Sequence, residues 1–316
     1  MMQQMDFLLF QLIVMLVLAP LVNGVIKQIM AITQKRKGPP IWQLYYDLWK
    51  AFQKGMVISE TASWIFKATP FVYFATASVA ALLIPVVKPW HPGWSCGDLI
   101  LWVSLLALGR FFITLSGLDT GSTFGAMGSS RDIMIAAIFE PALLVSLLTP
   151  ALIAKSTSLF QISAFSARLG TGVFQPVYLL NCAALFIIII AETARIPVDD
   201  PATHLELTMV HEAMLLEYSG PYLALLEWGA SLRQLLLITL LTNLFLPLET
   251  LLGMGGALSL PTALLFYTVK VLLVAVAIGI FEVNMVKMRL FSLPNLAALA
   301  FILAFLGFFQ YFVLGR

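Results

Sequence analysis

Eight runs of about twenty predominantly apolar residues recur along this chain, each long enough to cross a bilayer as one helix. They cover residues 5–31, 66–87, 98–117, 134–154, 175–193, 222–247, 262–285 and 293–313. No water is present in the hydrocarbon core to satisfy backbone N–H and C=O groups, so a lipid-soluble run of this length satisfies them within its own helix. The fold this predicts is an all-α integral membrane protein of about eight transmembrane helices. It forms a single membrane domain over residues 1–316, because the connections are too short for a soluble domain. The first, second, seventh and eighth runs are clean. The third to sixth carry polar or charged residues.

Composition agrees and excludes other classes. The chain is 60% hydrophobic and 11% charged, with a mean hydropathy of +0.96, where soluble domains carry about 25% charged residues. A net charge of +2 offers no basic face for nucleic acid. The 2 cysteines, Cys96 and Cys182, are far apart. Iron–sulfur clusters take about four thiolates and structural zinc about four ligands, so the expectation is no metal held by this chain. No phosphate-cradling glycine loop is present. Met1–Gln4 lacks the basic start of a signal peptide, so the first run reads as an uncleaved span. No internal or inverted repeat of the kind seen in many transporters is visible.

Basic residues orient the spans. Lys27, Lys35, Arg36, Lys37, Lys50, Lys54, Lys67, Arg131, Arg195, Lys287 and Arg289 fall on one side, against Lys88, Lys155, Arg168 and Arg316 on the other. The richer side is expected to be cytoplasmic, which leaves both termini outside and fits an even number of spans. On that side, segment 41–54 has apolar residues at 41, 44, 45, 48, 49 and 52. That is helical spacing, with Asp47, Lys50 and Lys54 away from the apolar stripe. It predicts a short amphipathic surface helix, either a plain interfacial connector or a dock for a cytoplasmic partner.

Charge inside the membrane is costly and tends to be functional. Arg110, Glu140, Glu192, Glu227, Arg233, Lys270 and Glu282 lie within predicted spans. Glu140 precedes Pro141, which removes a backbone donor and can open the preceding turn. Acidic residues also concentrate on one connection: Glu192, Asp199, Asp200, Glu206, Glu212 and Glu217 are six of the chain's 16. Pro197 and Pro201 interrupt any helix entering that acidic loop. From about residue 202, Leu205, Met209, Ala213 and Leu216 recur at helical spacing, with Gly220 and Pro221 as stop signals. His204 and His211 are about 10 Å apart along such a helix, too far to share a metal. Two readings stand: a proton relay in which Glu192 and the loop feed Glu140, Glu227 and Lys270, or static ion pairs that fix helix register.

The chain resembles a known family through motifs spread in order along it. These are Arg36-Lys37-Gly38-Pro39-Pro40 with Gln43, Asp47 and Lys50; Leu118-Asp119-Thr120-Gly121-Ser122 with Gly128-Ser129-Ser130-Arg131; Glu140-Pro141; Glu192 with Ile196-Pro197-Val198-Asp199; Glu206-Leu207; and Glu217-Tyr218-Ser219-Gly220. It is similar to subunit 1 of respiratory complex I, which belongs to the NADH:quinone oxidoreductases. Glu140-Pro141 and Leu118–Ser122 bring it nearer the corresponding subunit of group 4 nickel–iron hydrogenases, of the formate hydrogenlyase subunit 4 and hydrogenase-4 component C type. The resemblance implies a multi-pass subunit of the inner (cytoplasmic) membrane that is itself non-catalytic. It would anchor hydrogenase-like large and small subunits and an iron–sulfur subunit, whose cofactors are iron–sulfur clusters and nickel–iron. It would couple their reaction to proton or sodium movement in antiporter-like membrane neighbours.

By match to the family's acidic loop and axis, the resemblance implies Glu140, Glu192, Asp199, Glu206 and Glu217 as coupling residues. Glu212, Glu227, Lys270 and Glu282 join them as charges in the loop or spans. Arg36 and Asp47, with Lys50 from the same motif, would dock the peripheral arm. The chain departs from complex I where Ala202 and His204 replace an acidic pair, and where the stretch from Leu207 to Glu217 is longer and adds His211 and Glu212. Both changes fall where complex I shapes its quinone entrance. The alternatives are the quinone-site subunit of an NADH dehydrogenase and, in another class, a freestanding ion transporter.

Overall fold

The computed structural model describes residues 2–86, 97–199, 209–251 and 259–314. Its helices are α1 (Met2–Thr33), α2 (Gln43–Phe52), α3 (Trp64–Leu83), α4 (Leu99–Asp119), α5 (Thr123–Ala154), α6 (Leu159–Leu169), α7 (Pro176–Glu192), α8 (His211–Leu215), α9 (Gly220–Phe245), α10 (Leu248–Leu251), α11 (Leu260–Asn284) and α12 (Leu293–Leu314). Single 3₁₀ turns at Gly170–Phe174 and Leu290–Ser292 lead into α7 and α12. No strand forms among the described residues. The protein is an all-α integral membrane protein.

Among the described residues, seven helices are long and apolar enough to cross a membrane: α1, α3, α4, α5, α9, α11 and α12. The eighth expected span is α7, with 17 residues and a length of about 25 Å. It follows α6 and the first 3₁₀ turn across a 107° bend. That bent pair is the broken element of the bundle, and the sequence pattern did not announce α6.

α9 is the hub. From Ser231 to Phe245 every side chain is buried, and the helix packs against α1, α3, α7 and α11. It is also the span richest in buried polar groups, including Ser231, Arg233, Gln234, Thr239, Thr242 and Asn243. A helix surrounded by protein needs no apolar coat, whereas α12, packed chiefly on α5 and α7, keeps 22% of its span buried and exposes phenylalanines. Helices in lipid gain nothing from hydrophobic association with one another and pack through small residues. Gly117 of α4 and Gly125 of α5 sit so close that a Cβ on Gly125 would strike the Gly117 carbonyl.

Four local expectations are corrected. α5 begins at Thr123, well before residue 134. Its Gly- and Ser-rich first turns are helical because the Ser122 side chain accepts from the Gly125 N–H (3.1 Å) and because they pack under α8. α5 also runs unbroken through Pro141 and Pro150, so Glu140-Pro141 makes no open turn. Among the described residues of the acidic loop, the helix is only α8; Val210, at φ −122° and ψ −79°, lies outside it. Gly220 and Pro221 start α9 rather than end a helix. Proline is pre-set for a first turn, and Gly220 (φ +57°) lies against the backbone of Lys54 and Gly55. Asp200, Pro201, Ala202, His204, Leu205, Glu206, Leu207, Cys96, Lys88 and Arg316 lie outside the described residues.

α2 forms where the amphipathic pattern places it. Leu48 is buried, and the helix packs on α1 and α9, while Tyr45 donates to the Val17 carbonyl. Trp42, Tyr46 and Trp49 remain 54%, 64% and 70% exposed.

Candidate functional site

Glu192 is the last residue of α7, and its side chain is only 3% exposed. It is held by two arginines. Arg110 of α4 binds it in bidentate fashion, Nη1 to Oε1 at 3.0 Å and Nη2 to Oε2 at 2.6 Å, and Arg233 of α9 donates to Oε2 at 2.8 Å. Arg110 also faces two carboxylates of α5, Asp132 at 3.7 Å and Glu140 at 3.5 Å. Three carboxylates thus meet two guanidiniums. Planar guanidinium forks suit such shared, bidentate pairing. Glu140 lies at the cluster's edge, with its side chain 37% exposed on the flank of the bundle.

A second network starts one residue further along α9. Gln234 accepts from Arg195 Nη2 at 2.9 Å, and the same nitrogen donates to Asn23 of α1. Arg195 Nη1 pairs with Glu282 of α11 at 3.0 Å. Three helices, α1, α9 and α11, are tied by this one guanidinium. Beyond it, Asp199 pairs with Lys287 (3.1 Å) and accepts the His211 N–H at 3.1 Å. That contact anchors the acidic loop to the end of α11.

Between the two networks and α2 lies a cavity of about 330 Å³. Glu192, Arg195, Arg233 and Gln234 line it, as do Lys27, Asp47, His211, Glu212 and Glu227. Arg195 Nε, Arg233 Nε and Gln234 Nε2 are buried there without a hydrogen-bond partner. Buried donors beside a cavity of this size are ordinarily satisfied by water, which this chamber has room to hold.

The structure therefore gathers Glu140 and Glu192 in one cluster. Glu212, Glu227 and Asp199 line the chamber, and Glu282 stands one side chain away. Lys270 is not among them: it pairs with Glu249 of α10 (2.7 Å). Glu217 is exposed and does not line the chamber. Its neighbours are structural. The Tyr218 ring stacks on Phe66 at 4.0 Å, and its hydroxyl donates to the Phe66 carbonyl at 3.0 Å; burial pushes that phenol up to about 12. The Ser219 hydroxyl bridges the backbone of Val57. Arg36 and Lys50 are exposed, and Asp47 is both exposed and at the chamber wall.

Asp132, Arg195, Asn23, Gln234, Lys287 and Glu249 are site residues that the sequence pattern does not single out. Asp132 falls outside the expected fourth span because residues 123–133 are insufficiently apolar. Among the described residues no group of three or more His, Cys, Asp and Glu side chains is placed to hold a metal.

A multi-helix membrane subunit, with a charge cluster between its helices and a chamber lined by charged residues beside α2, is the class this fold and site define. The chain belongs to the NADH dehydrogenase family, whose profile matches residues 5–312. It is 38% identical to hydrogenase-4 component C of Escherichia coli K12 over 95% of this chain and 94% of that one. It is 34% identical to formate hydrogenlyase subunit 4 of the same organism, over 95% and 96%. A chain of the membrane-bound sulfane sulfur reductase, an archaeal respiratory membrane complex, shares the fold, with a TM-score of 0.81 over 98% of both chains at 19% identity.

Proposed function

We propose that this chain is the membrane anchor and coupling subunit of a complex-I-related oxidoreductase of the hydrogenase-4 and formate hydrogenlyase kind. As one membrane domain of the cytoplasmic membrane, with both termini outside, it links a peripheral iron–sulfur arm to proton or sodium translocation. The observation that carries the reading is the run of ionisable groups from the chamber beneath α2, through Glu192 and Arg110, to Glu140 on the flank of the bundle. A half-exposed carboxylate within a span is costly against lipid and suits a membrane neighbour that continues the path. The two E. coli relatives, named as components of hydrogenase-4 and formate hydrogenlyase, support the hydrogenase kind.

In this reading the arm, carrying the iron–sulfur and nickel–iron chemistry, docks on exposed α2 and the preceding basic turn, through Arg36, Asp47 and Lys50. A change of charge at the chamber mouth is felt by Glu212, Glu227, Asp199 and Glu282, and by Glu206 on the same loop. Glu192, shared by two guanidiniums, transmits it to Glu140. Glu140→Gln is expected to abolish ion translocation through the membrane neighbours of the intact complex while redox turnover in detergent persists. Equal loss of both activities, with normal assembly, would overturn the relay. A chamber of about 330 Å³ is at the small end of ligand sites and favours a second reading, a quinone-site subunit; co-purification with NADH-oxidising rather than hydrogenase-like subunits would establish that one.

A further inference from the structure

Lys270 is the ionisable group that the cluster does not absorb. It lies about 15 Å along α11 from its start at Leu260 and about 18 Å from Glu282, toward the end opposite the acidic loop. Its side chain is 2% exposed, and its ammonium meets Glu249 Oε1 at 2.7 Å; the Glu249 side chain is 19% exposed. α10, which carries Glu249, packs against α6, the following 3₁₀ turn and α11. The pair thus joins a closed interior to the far face.

Other polar groups accumulate at the same end of the bundle. Ser166 Oγ of α6, Tyr178 OH and Asn181 Oδ1 of α7, and Asn243 Oδ1 of α9 are buried without a hydrogen-bond partner. Four such atoms in one half of a membrane domain call for internal water. Thr239 of α9 shares a hydrogen bond of 2.8 Å with Tyr267, which stands one turn from Lys270 on the same face of α11. Thr239 itself is about 7.5 Å along α9 from Gln234, the residue that binds Arg195 in the second network. By the order of residues along α11, this hydroxyl pair stands on the far-face side of Lys270, and Thr239 also donates to the Leu235 carbonyl at 2.7 Å.

We propose that Lys270 and Glu249 form a proton outlet through this chain to the face opposite the acidic loop, separate from the lateral route at Glu140. The Lys270 ammonium gives its proton to the Glu249 carboxylate, leaving a neutral amine and a carboxylic acid. The acid releases the proton to water on the far face. The amine takes up a replacement proton from the chamber side through internal water. Lysine serves this step because a buried amine can lose its proton, whereas a guanidinium cannot. The outlet rests on the coupling reading above.

The test uses the intact complex in sealed vesicles, with redox turnover followed through an artificial electron carrier and proton movement through a pH-sensitive dye. Lys270→Arg keeps the ion pair but removes the releasable proton. Glu249→Gln keeps the shape but removes the acceptor. Each is expected to remove the share of protons per turnover that leaves through this chain, about half where the lateral route carries the rest, with turnover unchanged. Wild-type translocation in both, while Glu192→Gln is uncoupled, overturns the outlet and leaves the coupling reading standing. Wild-type translocation in all three overturns both. Should the variants fail to assemble, a membrane-impermeant carbodiimide on the wild-type complex decides: modification of Glu249 from the far face alone supports the outlet, and its absence from that face overturns it.

Discussion

Glu192 shows what a single carboxylate does when it is shared. Its two oxygens accept three hydrogen bonds from Arg110 and Arg233, so both guanidiniums are held by one carboxylate. Removing one member of a buried pair leaves the other charge uncompensated and costs about 3–5 kcal/mol. Glu192→Gln is expected to destabilise the protein in detergent by about 3 kcal/mol. Arg110→Met should cost a similar amount, and the double variant should cost less than the two together by about 1–3 kcal/mol. Thermal unfolding of the four proteins checks this, and additive costs would show that the pair does not interact. That Glu192 and Arg110 lie within spans is legible in the sequence. That they touch each other is not, because they are 82 residues apart and hydropathy carries no information on facing.

At the scale of elements, the motif residues divide between structure and function. Asp119 Oδ2 accepts the backbone N–H groups of Ser63 (2.8 Å) and Phe66 (3.3 Å), so it caps α3 from the end of α4. Asp119→Ala is expected to cost about 1 kcal/mol, read as a lower unfolding temperature with coupling retained. The contact of Gly117 with Gly125 sets how closely α4 approaches α5, and hence how Arg110 reaches Asp132 and Glu140. Gly125→Val should therefore push these helices apart and lower both stability and translocation; unchanged activity would show that the close approach is dispensable. Helices apolar all round, such as α1, α11 and α12, are legible in the sequence to within a few residues. The opening of α5 and the bent α6 are not. They are helical through capping and packing against neighbours, so the twenty-residue apolar signature is absent there. The stretch 209–219 misleads for a related reason: its apolar spacing is helical, but only α8 is helix, and Tyr218 and Ser219 are spent on clamping the loop to Phe66 and Val57.

Over the whole molecule, charge is asymmetric. Lys35, Arg36, Lys37, Lys50 and Lys54 are exposed beside the exposed aromatics of α2, on the face where the chamber opens. In the proposed complex this surface receives the peripheral arm. Charge reversal at Arg36 and Lys50 together is expected to release the arm during purification, most completely at low salt, where repulsion is least screened, while the chain remains inserted. Retention of the arm at all ionic strengths would place the dock elsewhere. The membrane class, the span order and the charge asymmetry were determined by the sequence alone. Each is a sum over many residues of transfer free energy between water and lipid, and such sums need no knowledge of neighbours. Only the tertiary structure decided that Glu192 lies between two arginines, that Arg195 ties α1, α9 and α11 together, and that Lys270 pairs away from the cluster with Glu249. Those are pairings over a few ångströms between distant segments, and they exist only once the helices have chosen which faces to turn toward one another.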